Sequence, residues 1–180
     1  MLFRSDERWT LEYAPGPMRL YRDAASGKAY WYATYSIVNR TGSDQHIAPR
    51  WDLLDEEGHL LPEGKDVPGD VSRSIQRLLN DPSVEESSAS VGTIAQGTEN
   101  AKFGFLVFQA TGEGRRFSVL VSGLSSERSE MKDPKSGKPV VMRKALRLDY
   151  QVPGDRAALR GPVPLAEPEA GGSNPSWIYR

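Results

Sequence analysis

His46, Arg50 and Asp52 are the nearest this chain of 180 residues comes to a reactive constellation. They fall on alternate positions of one run, so an extended strand would project all three to the same side. An imidazole, a guanidinium and a carboxylate could then meet one ligand, and that face is the whole sequence basis for an enzyme. The chain has no Gly-x-Ser-x-Gly elbow, no Walker phosphate loop and no Gly-x-Gly-x-x-Gly after a strand. Ser122-Gly-Leu-Ser-Ser126 supplies hydroxyls with no base near it in sequence. The absence of cysteine excludes disulfides, thiolate nucleophiles, iron–sulfur clusters and the usual structural zinc sites. The expectation is a non-enzyme with no catalytic residues and no cofactor.

Metal chemistry is equally thin. A hairpin turning between Glu56 and Glu57 would set His59 opposite Leu54 and leave His46 far along the strand, so the two histidines would not share an ion. A transition metal would then need one histidine plus carboxylates, a poor ligand set. Asp52, Asp55, Glu56 and Glu57 form the densest acidic cluster, and calcium is chemically compatible with it. Their spacing does not match an EF-hand loop, and a solvated turn is the expected reading, with no metal assigned.

Aromatic residues offer a third chemistry. Tyr30, Trp31, Tyr32 and Tyr35 could stack on sugar rings if they lay open on a sheet. The plainer reading places Trp31 and Tyr35 in the core and Tyr30 and Tyr32 over the opposite face. Tyr30, Tyr32, His46, Arg50 and Asp52 together make the candidate ligand face, for a protein partner or a cell-surface glycan.

These residues must be positioned by strands. Lys28–Leu54, an aromatic and β-branched run, a polar turn and a second alternating run, reads as one long β-hairpin, with Pro49 marking an edge or a bulge. Ala29, Trp31, Ala33, Tyr35 and Ile37 share the better core face. Asp23-x-x-x-Gly27-Lys28 and Asp133-x-x-x-Gly137-Lys138 each carry the chemistry of a hairpin loop: an Asp that bonds the backbone ahead and a Gly suited to positive φ. Short extended segments are expected at Trp9–Tyr13 and Met18–Tyr21, separated by Pro15-Gly-Pro17. Phe103–Gln109, Arg116–Ser122 and Pro139–Val152 also alternate. In the last, Val140, Met142, Lys144, Leu146, Leu148 and Tyr150 share a face, while Arg143, Arg147 and Asp149 make the other side wet.

One helix is expected, with Asp70 as N-cap, Val71, Ile75, Leu78 and Leu79 at helical spacing and a stop near Asn80 before Pro82. The polar run Ser83–Ser90 reads as a loop or flexible insertion. Residues 154–180 change to Ala, Pro, Gly and Glu, the composition of a flexible tail, and end in Trp177-Ile-Tyr-Arg180, which either docks on the domain or binds a partner. The organisation is one β domain over 1–153, a helical insert at about 68–82, and the tail.

Hydrophobic residues at 38% and charged residues at 26% suffice for one sizeable core. The formal charge of -1, from 23 basic and 24 acidic residues, provides no field for nucleic acid or an anionic membrane. Only Met1, Leu2 and Phe3 precede the first charge, so the N-terminus reads as neither a signal peptide nor a membrane helix. An exported protein would have lost its leader.

Ile94-Ala-Gln-Gly97-Thr-Glu-Asn100-Ala-Lys-Phe-Gly104-Phe-Leu-Val-Phe108 and Tyr35-Ser-Ile-Val-Asn39-Arg-Thr-Gly42, followed by Trp51-Asp-Leu-Leu-Asp55, resemble a pattern of bacterial immunoglobulin-like, telokin-like domains of unknown function. The resemblance spans roughly Trp9–Val152 and rests on structural motifs. It implies an immunoglobulin-like antiparallel β-sandwich, an exported or surface-attached protein and no established catalytic residue. The helical insert and the tail depart from the pattern. The combined expectation is a non-enzymatic interaction, adhesion or scaffold domain of the bacterial cell envelope.

Overall fold

Alternation along the aromatic run has a direct result: Trp31, Ala33, Tyr35 and Ile37 enter the main core from one side of a single strand. The computed structural model describes residues 8–180, so the reading of residues 1–7 lies outside it. In chain order the elements are β1 (Glu12–Pro15), β2 (Arg19–Arg22), β3 (Ala29–Asn39), β4 (Gln45–Ile47), β5 (Arg50–Leu54) and β6 (Leu60–Pro62). Then come α1 (Gly69–Leu79), β7 (Glu85–Glu86), β8 (Gly92–Ile94), β9 (Gly97–Gln109) and β10 (Arg116–Ser122). The last are β11 (Arg128–Lys132), β12 (Pro139–Gln151) and β13 (Ser176–Tyr179).

The protein is mainly β. One sheet runs β1–β3–β9–β7, with β2 also on β3, and a second runs β11–β12–β10–β5–β6, with β13 also on β12. β4 and β8 make a small ladder of their own. The pairings are antiparallel apart from the short one between β7 and β9. Each large sheet contributes one face to a shared apolar core. Trp31, Tyr35, Leu106 and Phe108 come from the first, and Trp51, Val119, Val121, Leu146 and Leu148 from the second. Tyr35 meets Trp51 at 4.8 Å between ring centroids, and Trp31 meets Phe117 at 5.1 Å. This arrangement fits a β-sandwich.

The expected hairpin from Lys28 to Leu54 does not form. β3 pairs with β1, β2 and β9, while β5 pairs with β10 and β6. Pro49 has no N–H for a ladder, and at Ala48-Pro49 the second run splits into β4 and β5 and passes to the other sheet. Both Asp-Gly-Lys loops do close hairpins. The Asp23 N–H donates to Lys28 O at 2.9 Å with Gly27 at φ 72°, and the Asp133 N–H donates to Lys138 O at 2.9 Å with Gly137 at φ 67°.

The helix stops at Asn80 as expected but starts two residues earlier than expected, and Asp70 is not its cap. Pro68 is the N-cap, with no capping side chain, and Asp70 sits in the first turn, where its charge complements the helix dipole. Asn80 ends the helix in the left-handed conformation at φ 49°. Val71 and Ile75 bury against Tyr30, Tyr32, Phe105 and Val107 on the far face of the first sheet.

Ser83–Ser90 is not a free loop. Glu85–Glu86 pairs with β9, Ser87–Ser90 forms a 3₁₀ turn, the Ser87 hydroxyl donates to Glu63 Oε2 at 2.7 Å, and Ser90 Oγ lies 2.6 Å from Tyr35 Oη. Tyr35 reaches Ser90 across Gly104, where any Cβ would overlap its ring.

Nor is the stretch 154–180 a free tail. Met18 and Val163 exchange backbone bonds of 2.8 and 2.6 Å, and Val163 and Leu159 are buried in the main core. The Asn174 side chain donates to Asp149 O and Ala166 O, both at 2.8 Å, and accepts from the Asp149 N–H at 3.0 Å. β13 then adds to β12. Average composition suggested a linker because the anchors are few, yet each one fills a specific slot. Among the described residues no helix is long and apolar enough to cross a membrane.

Candidate functional site

The structure does not gather the five candidate residues on one face. Tyr30 and Tyr32 are 1% and 7% exposed under α1, where no sugar ring could reach them. His46 is exposed on β4 over a shallow cavity of about 300 Å³ shared with Trp9, Ser125 and Arg143. That cavity holds neither Arg50 nor Asp52. Those two do meet, with Arg50 Nη2 donating to Asp52 Oδ1 at 3.4 Å. The second oxygen of buried Asp52 accepts from Arg180 Nη1 at 3.3 Å, so its carboxylate ties down the end of the tail.

The acidic turn resolves into separate tasks. Asp55 Oδ1 accepts the His59 N–H at 2.7 Å, and Asp55 Oδ2 lies 3.0 Å from His59 Nδ1. Glu56 turns away to accept the N–H groups of Arg115 and Arg116. His59 therefore faces Asp55, with Leu60 opposite Leu54. Asp55, Glu57 and His59 could bring ligand atoms within 4.8 Å of one another, but all three are solvated or partly so and Asp55 is already engaged. Asp52 and Glu56, counted in the sequence cluster, are held elsewhere.

A cavity of about 570 Å³ lies between the outer face of the second sheet and the 166–174 loop, lined in part by Arg116, Ser118, Arg147, Asp149 and Asn174. Three of its polar side chains pair with one another: Asp149 Oδ1 accepts from Ser118 Oγ at 2.5 Å and from Arg147 Nε at 2.8 Å. Ser118 thus donates to a carboxylate with no imidazole between them, which is not the arrangement of an activated nucleophile.

The last strand is different. Arg143 and Arg180 exchange both backbone bonds, at 2.8 and 3.1 Å, and the register continues as Lys144 with Tyr179, Ala145 with Ile178 and Leu146 with Trp177. Antiparallel ladders alternate bonded and non-bonded pairs, so Ile178 points its N–H and C=O at β12. Trp177 and Tyr179 point theirs away, and those groups have no partner among the described residues. The two aromatic side chains are 39% and 42% exposed.

A polar cluster supports this edge from below. Lys144 Nζ lies 5.0 Å from the Trp177 ring centroid and 2.8 Å from Glu127 Oε1. Glu127 also accepts from Thr10 Oγ1 at 3.2 Å and from Tyr179 Oη at 3.3 Å. The Lys144 bond holds the Glu127 carboxyl below its usual range, with partial desolvation opposing and Thr10 assisting. Beyond it, β11 and the start of β12 project as an exposed two-stranded arm carrying Met131, Val140 and Val141.

The other outer strands of the two large sheets carry the residues that discourage strand addition. β1 ends in Pro15, β2 begins and ends with arginine, β6 ends in Pro62, β7 is Glu-Glu, and β11 holds Arg128, Glu130 and Lys132. β13 reads Ser-Trp-Ile-Tyr, with neither charge nor proline inside it, Pro175 and Arg180 standing just outside its two ends. For Trp177–Arg180 the sequence leaves docking and partner binding open; the strand docks through one edge and leaves the other edge unpaired among the described residues and both rings partly exposed.

Comparison of the chain with protein-family models, with curated proteins and with solved structures yields no match.

Proposed function

We propose that this chain is an immunoglobulin-like β-sandwich acting as a non-enzymatic interaction or scaffold domain of the bacterial cell envelope, and that it engages its partner by strand addition at β13. The observation that carries the proposal is the free edge of Trp177–Tyr179: outward backbone groups, two exposed aromatic rings and no gatekeeping residue. The immunoglobulin-like fold, the export and the envelope location rest on the resemblance of 35–55 and 94–108. The non-enzymatic role is supported by the mutual pairing of Ser118, Arg147 and Asp149 in the cavity beneath the 166–174 loop and by the separation of His46 from Arg50 and Asp52.

The test is Tyr179→Pro, which removes an N–H that the ladder to β12 does not use. Co-purification from bacterial envelope fractions should recover a partner with the native protein and lose it with the variant. A partner held equally by both would place the binding surface elsewhere. Turnover in a broad panel of hydrolase and transferase substrates would overturn the non-enzymatic reading.

A further inference from the structure

We infer that the strand added at β13 is β13 of a second copy of this chain, so that two molecules join into one continuous sheet about a two-fold axis at Ile178. This rests on the reading of β13 as the binding edge. An antiparallel pairing centred on Ile178 sets Trp177 opposite Tyr179 of the other copy. Because Trp177 and Tyr179 are the residues whose backbone groups point outward, both of these become bonded pairs. Every outward N–H and C=O within Trp177–Tyr179 of each copy is then satisfied by the other, with no overhang.

The side chains agree with the same register. Aromatic rings face each other across the Trp177–Tyr179 pairs, a favourable cross-strand combination. Ile178, half-buried on the opposite face beside Ala145, meets its own copy in a non-bonded pair, where side chains approach most closely. Ser176 falls opposite Arg180, so no like charges are placed directly across the axis. Such self-pairing is isologous and closes at two copies, because it consumes the free edge of each. The shared edge is short, which places the association at the weak end of specific interfaces, with a dissociation constant on the order of 10–100 μM.

The absence of native cysteine allows a direct register test. Ile178→Cys should give a disulfide-linked dimer under mild oxidation, whereas Trp177→Cys, whose own copy lies two residues out of register, should not. Sedimentation of the native chain should show a concentration-dependent monomer–dimer equilibrium. Tyr179→Pro should weaken it at least tenfold, while the Ala145 amide keeps its exchange protection, showing that β13 remains on β12. A monomer at about 1 mM, or a dimer that is indifferent to Tyr179→Pro and not cross-linked through Ile178→Cys, overturns the inference. If the native chain stays monomeric while Tyr179→Pro still loses an envelope partner, self-pairing fails and the binding edge stands. If neither changes, both fail.

Discussion

Tyr30 and Tyr32 lie 1% and 7% exposed beneath α1, whereas Trp177 and Tyr179 lie 39% and 42% exposed on β13. Both pairs occupy alternate positions on a strand, and both are aromatic. What separates them is the next layer. Tyr30 and Tyr32 sit at the middle of a sheet face that Val71 and Ile75 of the helix cover. Trp177 and Tyr179 sit on an edge strand, where Lys144 and Glu127 contact them without covering them. Alternation decides which residues travel together; it does not decide what covers them.

The strongest way to break this contrast is to loosen the helix. Ile75 is fully buried, so Ile75→Ala should cost about 2–5 kcal/mol in denaturant unfolding through lost contacts and a residual cavity. It should also raise the solvent accessibility of Tyr30 and Tyr32. An unchanged midpoint would mean that α1 contributes little to covering them.

Next comes release of the edge from its anchor. Asn174→Ala deletes three hydrogen bonds to Asp149 and Ala166 and should cost about 1–3 kcal/mol. Hydrogen exchange should then quicken at Arg143 and Ala145, whose amides face β13, while the Lys144 amide, bonded to Glu127 O, stays protected. Uniform quickening along β12 would argue against β13 opening as a separate unit.

A smaller effect concerns pH. Burial pushes the half-buried Glu63 carboxyl up, with the Ser87 hydroxyl and the Val107 N–H opposing and Glu86 adding to the rise. The folded state therefore holds this proton more tightly than the unfolded chain. Its contribution is fully present below the unfolded value of about 4.3 and is lost as pH rises through the folded value. Glu63→Gln should remove that part of the pH slope. If the native and variant slopes coincide, the link between this buried network and stability is absent.

Smallest is Lys144→Met, which removes the cation above Trp177 and the partner of Glu127. The Glu127 carboxyl is held low chiefly by Lys144, so its contribution is present above the unfolded value and lost as pH falls through the folded one. The variant should move the Glu127 pKa back up and shift Trp177 fluorescence with little change in overall stability. An unmoved Glu127 carboxyl resonance in a pH titration would remove Lys144 as the cause.

Much of the strand content was legible, because alternation at 103–109, 116–122 and 139–152 survives as β9, β10 and β12. The helix was legible from the spacing of Val71 and Ile75, and the two Asp-Gly-Lys hairpins from turn chemistry. The pairing of Lys28–Leu54 was misread because one proline can either bulge a strand or end it, and only the neighbouring strands decide which. The candidate site was less legible. Asp52 looked like part of a ligand face because a buried structural carboxylate and a ligand-binding one have the same letter, and its partner Arg180 lies 128 positions away in sequence.

By itself the sequence determined which residues alternate, where turns must fall, that no thiol chemistry exists and that one core can be built, since these follow from local backbone preference and composition. Tertiary structure alone decided that the helix hides Tyr30 and Tyr32, that Pro49 sends β5 to the other sheet and that β13 presents Trp177 and Tyr179 at an open edge. Each of those depends on contacts between segments far apart in the chain, and burial and edge exposure are properties of the neighbours a strand acquires.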